Sequence, residues 1–568
     1  MRYFPCSFSV QLVVLLFFFF FLPCDRVPWS KRIEILRATT MEAIHLAYVL
    51  VFLLPFFLLL RLRRRGPPPG KRPATTTAHC PHPNPVLGNT LAFIRNRRRF
   101  FDWYTDLLRA APSGAAVEAW GPFGAGHAVT TASPADVDHL LRAGFDGYAR
   151  GALFRDATAD LIGDGLFAAD GRLWSLQRKL ASHAFSSRSL RRFTGDVLAV
   201  HLRRRFLPLL DAAAARDGGD VAVVDLQDAL RRFGFRTICH VAFGVEGSDG
   251  DDDDDPATQD ALFAAFDTAV EISFRRALTP ATFVRRLTKL LDVGKSRRLR
   301  EAVRVIDDYA MSVVESKAAR RQRNNLDDGS ADLLSRFMAA TDDDGGSELG
   351  AMFATPEAKL RFLRDMVVTF VLAGKDTTSS ALTWFFWLLA ANPRCERRAH
   401  EEAASCCDDD DDDDDGDVKG MHYLHAAITE AMRLYPPVPF NGRVAVRDDV
   451  LPGGAAVRAG WYANYSAYAM GRMEKLWGKD CLEFVPERWL GERGEFVPVD
   501  AARFPVFHAG PREMAYVQMK TVAAALLRRF RVDVVAPVAN MEAPPAYEMT
   551  ATMKMKGGLW VRLRRRED

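Results

Sequence analysis

The sequence predicts a large, mainly α-helical body with a small β region, carried behind an N-terminal membrane anchor. From about Leu91 onward apolar residues recur with a helical period, most clearly in Pro134–Arg142 and Glu301–Ser316. The polar stretch Arg320–Ser347 predicts an exposed connection. Short extended pieces beside turn residues predict the strands Val117–Trp120, His127–Thr130, Ala445–Val446 and Ala455–Val457.

Two hydrophobic segments precede this body. Leu12–Leu22 has the length of a signal-peptide core and is short for a membrane span. Ala43–Leu60 is long enough to cross a membrane. The basic cluster Arg61–Arg65 directly behind it predicts that the rest of the chain stays in the cytosol. The proline-rich stretch Gly66–Gly70 then forms a stiff linker.

These segments predict four regions. Residues 1–40 form an upstream extension, residues 41–62 the anchor, residues 63–90 a basic and proline-rich hinge, and residues 91–568 a catalytic-type domain. Met41 is then the expected initiator. The alternative is that Leu12–Leu22 is a genuine second hydrophobic element.

Charge is unevenly distributed along the chain. The net charge is +4, but the acidic runs Asp251–Asp255 and Asp408–Asp415 are typical of solvated loops, so the folded body is more basic than this value indicates. A basic body suits an anionic membrane surface or an acidic redox partner. The alternative is that basic side chains are simply scattered over the surface. No nucleic-acid partner is expected.

The cysteines favour neither a disulfide framework nor a structural metal site. None of them forms a C-x-x-C pair, which argues for a reducing compartment and against structural zinc. We therefore predict no metal site built from protein side chains alone. The eight cysteines are Cys6, Cys24, Cys80, Cys239, Cys395, Cys406, Cys407 and Cys481.

The strongest helical signal lies in the middle of the chain. Thr355, followed by proline and glutamate, predicts a capped start, and Asn392, followed by proline, predicts the end. The apolar runs Met366–Gly374 and Ala381–Ala391 flank the polar centre Lys375–Ser380. A membrane helix does not place Lys, Asp and four hydroxyls at its centre without partners. The pattern predicts a long buried helix with a polar notch, the alternative being an ordinary helix bent by Ser and Thr.

Two spaced pairs lie on other predicted helices. Glu430 and Arg433 share one helix face at i, i+3. A Leu-Tyr-Pro-Pro stop follows them, and Arg488 comes later in Pro-Glu-Arg-Trp. Trp174 and Arg178 share another face at i, i+4. Each pair alone is also typical of an ordinary surface helix, so its meaning depends on the order of all the motifs.

Near the C-terminus, the segment Phe507–Arg512 reads Phe-His-Ala-Gly-Pro-Arg and runs directly into Glu-Met-Ala-Tyr. This segment resembles the haem-binding loop of the cytochrome P-450 family of monooxygenases, Phe-x-x-Gly-x-Arg-x-Cys-x-Gly. Phe507, Gly510 and Arg512 match that pattern. Met514 stands where the family has its cysteine, so a short segment is missing between Arg512 and Glu513.

The resemblance implies roles for the central helix. Ala373–Thr378 is similar to the oxygen-binding motif of the family. By that resemblance Gly374 opens space beside the haem, and Asp376 and Thr377 deliver protons to the oxygen that the haem activates. Glu430, Arg433 and Arg488 are, by the same resemblance, structural members of a buried ion network behind the haem loop.

The resemblance also implies how the haem is held. Trp174 and Arg178 contact its propionates, Arg512 does so from the loop, and Arg443 is a weaker candidate. Phe507 and Gly510 belong to the cofactor-binding loop by the same resemblance.

The missing cysteine decides what chemistry this chain can perform. In the family, the cysteine thiolate donates electron density to the haem iron and favours O–O cleavage, which a thioether cannot do. Met514 is the only sulfur of the loop and His508 its only imidazole, while Cys481 lies too far upstream to be the ligand. We therefore predict that this chain is inactive and that its haem binding is impaired. A functional transcript should encode a short insert containing cysteine.

The similarity extends over Arg61–Asp568. Phe370–Leu389, Tyr468–Glu474 and Phe504–Arg512 are most similar to the plant clan that hydroxylates fatty acyl chains or jasmonoyl-amino acid conjugates. The resemblance implies haem, NADPH supplied through NADPH-cytochrome reductase, membrane lipid and a small apolar substrate as cofactors and partners. It also implies a single-pass anchor in the endoplasmic reticulum. The alternative is a haem-deficient, membrane-tethered pseudoenzyme that binds a lipid or a partner.

Overall fold

The computed structural model describes residues 77–112, 116–122, 125–182, 197–214, 223–244, 256–278, 294–323, 332–342, 347–405, 418–508, 510, 512–535 and 544–566. The chain divides into two units, Met1–Ala74 and Thr75–Asp568, and all of these ranges belong to the second. Within them, no helix combines the length and apolar composition needed to cross a membrane. The predicted anchor Ala43–Leu60 lies outside the described residues, as do both acidic runs.

Helices dominate the described body, which confirms the prediction of a mainly α-helical body with a small β region. The α-helices are α1 Thr90–Asn96, α2 Phe100–Ala110, α3 Pro134–Asp138, α4 Ala152–Ile162, α5 Gly171–Ser182, α6 Ala199–His201, α7 Leu207–Ala214, α8 Leu226–Phe243, α9 Pro256–Leu278, α10 Lys295–Arg323, α11 Leu333–Asp342, α12 Glu348–Ala351, α13 Pro356–Lys375, α14 Thr377–Ala391, α15 Pro393–Ser405, α16 His422–Leu434, α17 Ala467–Met470, α18 Glu474–Trp477 and α19 Glu513–Arg529. Short 3-10 or π turns span Arg97–Arg99, His139–Ala143, Phe145–Gly147, Leu202–Phe206, Pro486–Trp489 and Pro505–Phe507.

The strands are short and form small sheets. They are β1 Ala78–His79, β2 Val117–Ala119, β3 Ala128–Thr131, β4 Tyr148–Ala149, β5 Val223–Asp225, β6 Asn441–Ala445, β7 Asp449–Val450, β8 Ala456–Val457, β9 Tyr462–Tyr465, β10 Phe530–Val534, β11 Tyr547–Met549, β12 Met553–Met555 and β13 Trp560–Arg565. The largest sheet has the order β1-β2-β3-β9-β6-β4, and a second has the order β10-β13-β5. Two hairpins, β7-β8 and β11-β12, complete the set among the described residues. The four predicted strand segments all overlap strands of the structure.

The register of the largest sheet places Arg443 and Tyr465, two residues of the candidate site described below, on the same face of the sheet. β6 and β9 pair antiparallel, with Asn441 opposite Tyr465 and Arg443 opposite Ala463. Because residues two apart on a strand share a face, Arg443 and Tyr465 are diagonal neighbours.

The long central helix begins and ends where its sequence predicts. The Thr355 hydroxyl accepts a hydrogen bond from the N–H of Ala358, which caps the first turn. Asn392 ends the second half of the helix. Most side chains between these ends are buried, and the Trp384 ring stacks on that of Tyr435 with 4.0 Å between centroids. The predicted ends and burial are confirmed, but the run consists of two helices, α13 and α14, that meet at Asp376.

The prediction of an exposed connection over Arg320–Ser347 is wrong for its middle. Residues 333–342 form α11, which buries Leu333, Leu334, Phe337 and Met338. These apolar residues recur at helical spacing inside a polar stretch, so they supply a face that packs into the core although the average composition is hydrophilic.

Candidate active site

The central helix breaks at its polar notch. Asp376 separates α13 from α14, with φ −104° and ψ −21°. The Thr377 hydroxyl donates to the carbonyl of Ala373 at 2.7 Å, and the Ser379 hydroxyl donates to that of Lys375 at 2.8 Å. Such bonds from hydroxyls to carbonyls one turn earlier loosen the backbone ladder and bend a helix. The run of hydroxyl residues therefore explains the break.

Asp376 lies in a buried group of charges. Its carboxylate accepts from Lys375 at 2.8 Å and from Arg231 of α8 at 3.1 Å. Lys554, on β12, approaches to 4.0 Å. Burial alone would raise the pKa of Asp376, but the three cations outweigh it and hold that pKa well below its ordinary range. The carboxylate is therefore ionised at neutral pH.

A second carboxylate, Asp267 of α9, completes this charge cluster. It lies 2.6 Å from Arg231, 2.6 Å from Lys554 and 3.5 Å from Lys375. The two acids and three bases join four separate elements at the helix break, namely α8, α9, the central helix and the C-terminal hairpin. The predicted proton-delivery residue Asp376 is thus held in place by long-range ion pairs.

Gly374 lies against α8. A Cβ atom at this position would be 2.6 Å from Cβ of Ile238. On the same contact, a Cβ atom at Gly234 would be 3.0 Å from the carbonyl oxygen of Gly374. The two glycines let the helices approach closely just before the break. The role of Gly374 beside a haem stays a prediction, while its packing role is visible in the structure.

The C-terminal loop leads into α19 without a cysteine. Phe507 ends a 3-10 turn, and its ring lies 5.2 Å from that of Tyr516. The Tyr516 hydroxyl bonds that of Thr429 at 3.0 Å, so this side chain is fixed in the core. Met514 is partly buried and packs against the same core. The last cysteine of the chain, Cys481, is buried beside the carbonyl of Arg472.

Three predicted cofactor residues, Trp174, Arg178 and Arg443, lie around Phe145 and the C-terminal loop, and we call this group the basic cluster. Trp174 and Arg178 lie on α5, and the Trp174 ring contacts that of Phe145 with 5.1 Å between centroids. The Arg443 guanidinium lies 4.5 Å from the centroid of the same Phe145 ring. Arg178 approaches the loop, because a Cβ atom added to Gly510 would be 3.7 Å from its Nη2. Arg512 is the residue that precedes α19.

Two further residues of this cluster, Arg150 and Tyr465, were not predicted as haem contacts. Arg150 follows β4. Burial lowers the pKa of the Arg150 guanidinium, and the nearby Arg443 lowers it further, to about 10. Tyr465 bonds Nδ1 of His508 through its hydroxyl at 2.6 Å. Burial and the two arginines lower the pKa of His508 to about 4, so its imidazole is neutral. No local motif marks Arg150 or Tyr465, because the sheet brings them to the site from distant parts of the chain.

The predicted ion network behind the loop is confirmed. Glu430 accepts from Arg433 at 2.7 Å and from Arg488 at 2.9 Å, and the Trp489 indole donates to it at 2.8 Å. Glu430 and Arg433 are fully buried, and Arg433 also donates to the carbonyl oxygens of Cys481 and Glu483. All these buried charges are therefore hydrogen-bonded, which is the condition for their stability in the core.

A haem fits one side of this site and not the other. The basic cluster supplies guanidinium groups suited to carboxylates such as the two haem propionates. On the iron side, the residues Phe507–Tyr516 contain no cysteine. The sequence therefore meets the requirement for holding the acidic edge of a porphyrin but lacks the thiolate that the family's chemistry needs.

Comparison with known proteins agrees with this arrangement of motifs. The family model "Cytochrome P-450" matches residues 79–555. Cytochrome P-450 94A2 of Vicia sativa is 39% identical over 90% of this chain and 96% of its own length. Cytochrome P-450 94B1 of Arabidopsis thaliana is 40% identical over 85% of this chain and 91% of its own length, and 94B3 of the same plant is 39% identical over 92% and 99%. The predicted resemblance to plant members is confirmed, and the chain belongs to the cytochrome P-450 family of haem-dependent monooxygenases.

Proposed function

We propose that a cysteine-containing form of this protein hydroxylates an apolar C–H bond of a fatty-acyl or related lipid-like substrate. Dioxygen and electrons passed from NADPH through a reductase are the co-reactants. We propose further that this chain does not perform the reaction, because no residue of its loop supplies the thiolate ligand. The full-length similarity to plant members of the family supports the first part.

The observation that carries the proposal is the broken central helix with its charge cluster. Asp376 is buried and ionised, and the next residue, Thr377, carries a hydroxyl that donates to the carbonyl of Ala373. A carboxylate beside a hydroxyl can hold and pass protons at a buried site. Asp376 can accept a proton only after it gives up part of its ion pairing with Lys375 and Arg231. Breaking these ion pairs therefore controls proton transfer through Asp376.

The substrate class rests on resemblance. Phe370–Leu389 and Tyr468–Glu474 are the segments most similar to the plant clan that acts on fatty acyl chains or jasmonoyl-amino acid conjugates. We propose that a membrane anchor at Ala43–Leu60 keeps the body at the endoplasmic reticulum, where apolar substrates partition into lipid. Removal of residues 1–62 should release much of the body from membranes. Undiminished membrane binding after this truncation would contradict a single anchor.

The proposed reaction is tested by restoring the loop. A short cysteine-containing segment is inserted between Arg512 and Glu513, and the protein is supplied with a fatty acid, NADPH and a reductase. A matched insert with serine in place of cysteine is the control. Hydroxylated product from the cysteine form alone is the expected result. A cysteine form that acquires a thiolate haem but oxidises no fatty acyl substrate would show that the substrate class is wrong.

A second function is favoured by one specific observation, the absence of any cysteine after Cys481. In this reading the chain is a haem-deficient, membrane-tethered protein that binds a lipid or a partner. Sequencing the transcript across the codons for Arg512 and Glu513 separates the two readings. An in-frame insert with cysteine supports the enzyme, and a transcript that reads straight through supports the binding protein.

A further inference from the structure

The helix α4 has a glycine at each end. It spans Ala152–Ile162, and Gly151 directly before it has φ 84°, while Gly163 directly after it has φ 46°. Glycine adopts such positive angles without the strain that a side chain brings, so the chain bends at both ends of the helix. Between these two bends, α4 can turn as one rigid unit.

A groove of about 810 Å³ lies beside α4. One wall is formed by α4 and by the turn Gly163–Gly165, which we call the α4–α5 turn. The other walls are formed by α10 and α13, and Asp365 of α13 is one of the lining residues. A movement of the α4–α5 turn away from α13 therefore widens the groove.

Arg364 of α13 holds the C-terminal end of α4. Its guanidinium donates to the carbonyl oxygen of Leu161 at 2.7 Å, and this carbonyl is one of the last four of the helix, which lack partners inside it. The guanidinium also donates to Asp307 of α10 at 2.6 Å and to Asp365 at 2.9 Å. Arg364 therefore ties the end of α4 to two walls of the groove.

Asp365 makes a second attachment, to the turn itself. Its Oδ2 accepts the backbone N–H of Asp164 at 2.9 Å. A Cβ atom on Gly163 would overlap the same carboxylate, so the turn lies directly against it. Asp365 is buried as a result, although it is the neighbour of an open groove.

Arg364 is the one cation that pairs with Asp365 among the described residues. Arg276 of α9 pairs instead with Asp160 of α4, at 3.2 Å. Burial outweighs the attraction of Arg364 and, with the nearby Asp164 carboxylate, raises the pKa of Asp365 to about 6. Acids outnumber bases among the other charged residues that line the groove, which are Arg155, Asp156, Asp160, Asp164, Asp307, Glu357 and Arg361.

The closed and open arrangements of the turn treat this carboxylate differently. In the closed arrangement it is buried, whereas in an open one it faces water, which stabilises the ionised form. The closed arrangement therefore holds the proton more tightly. By linkage, the equilibrium constant for opening rises with pH between about pH 4 and pH 6 and is level above that range.

We propose that the α4–α5 turn closes against α13 when Asp365 is protonated and separates from it more readily when Asp365 is ionised, so that acidic pH keeps the groove narrow. The inference goes beyond the proposed hydroxylation, because it involves neither haem nor the C-terminal loop. Either can fail without the other.

Hydrogen–deuterium exchange of the full chain in detergent measures the opening. Exchange of the amides of residues 151–165 is followed at pH 5 and pH 7.5 and corrected for the intrinsic effect of pH on amide exchange. If opening gives Asp365 its ordinary pKa of 3.8, the opening constant should be about tenfold larger at pH 7.5. Helix α16, which is buried in the core, should stay protected at both pH values over the same period.

A variant without the carboxyl assigns the effect. Asp365→Asn keeps the shape of the side chain but cannot ionise, so the corrected exchange of residues 151–165 should agree within about twofold at the two pH values. Asp138→Asn is the matched control, because Asp138 pairs with Arg142 on the surface and does not line the groove. It should keep the tenfold difference. Circular dichroism shows whether each variant is folded.

Three outcomes would overturn the inference. Equal corrected exchange of residues 151–165 at pH 5 and pH 7.5 in the original chain would mean that ionisation of Asp365 does not open the turn. The same acceleration in α16 would mean that the whole fold, and not the turn, loosens as the pH rises. A tenfold difference that persists in Asp365→Asn would assign the effect to another group.

Discussion

Gly374 and Ile238 lie so close that a Cβ atom on the glycine would be 2.6 Å from Cβ of the isoleucine. This contact joins α13 to α8. It lies next to Ala373, whose carbonyl accepts a hydrogen bond from the Thr377 hydroxyl. From the other side of the contact, Gly234 faces the carbonyl of Gly374. Close packing of the two helices and the polar notch are therefore neighbouring features of one site.

Replacement of Gly374 by alanine should destabilise the fold. The added methyl group would overlap Ile238, and overpacking of this kind costs about 1–3 kcal/mol, which exceeds the gain in helix propensity. Urea unfolding of the full chain measures the loss. Adding Ile238→Ala removes two of the three close atoms, so the double variant should be more stable than the sum of the single changes predicts. Simple additivity would show that Cγ1 and Cγ2 of Ile238 do not contribute to the strain, which would then rest on its Cβ alone.

Loss of the buried carboxylate Glu430 should be much more harmful than loss of a comparable surface carboxylate. Glu430→Gln leaves the buried Arg433 without a counter-charge and leaves Arg488 with Asp480 alone, which should cost about 3–5 kcal/mol. Glu487→Gln is the control, because Glu487 pairs with the exposed Arg394 and Arg398 and should cost less than about 1 kcal/mol. Similar unfolding midpoints for the two variants would contradict a structural ion network.

Asp376 should make stability depend on acid pH. Its folded pKa lies below that of the unfolded chain, so its contribution is present above about pH 4 and is lost as the pH falls. Asp376→Asn should therefore be less stable than the original chain at pH 7 but should lose less stability between pH 5 and pH 3. Unfolding free energies at several pH values measure both effects. Parallel pH profiles would mean that the three cations do not lower the pKa of Asp376.

Asp365 should show the opposite dependence. Burial raises the pKa of this carboxyl to about 6, even though Asp164 and Arg364 donate hydrogen bonds to it. Because the folded pKa exceeds the unfolded one, the group reduces stability as the pH rises from about 4 to 6, by up to about 3 kcal/mol. Asp365→Asn should remove this loss. The difference in unfolding free energy between the variant and the original chain, compared at pH 4.5 and pH 7, tests the prediction.

The sequence predicted local features better than long-range ones. The cap at Thr355, the end at Asn392 and the network of Glu430 with Arg433 follow from residue types at short spacing, and the structure has all of them. The break at Asp376 was visible only as a polar notch. The break itself involves the hydrogen bond from the Thr377 hydroxyl to the carbonyl of Ala373 and the ion pair of Asp376 with Arg231, which lies far away in sequence.

The errors have a similar cause. Within residues 333–342, composition suggested exposure, but the spacing of Leu334, Phe337 and Met338 forms a buried face. Arg150 and Tyr465 reach the basic cluster only because the largest sheet places β4, β6 and β9 side by side. A single sequence contains no local mark of such a convergence.

The ferrous-carbonyl absorption spectrum shows whether a thiolate ligates haem iron in this chain. Haem is added to the purified full chain, reduced and exposed to carbon monoxide, beside a form with a short cysteine-containing insert between Arg512 and Glu513. The insert should produce the absorption of a thiolate-ligated haem, whereas this chain should not, and Met514→Cys alone should not either because it leaves the loop short. A thiolate-type spectrum from the unaltered chain would mean that one of its own cysteines ligates the iron, and our prediction would be wrong.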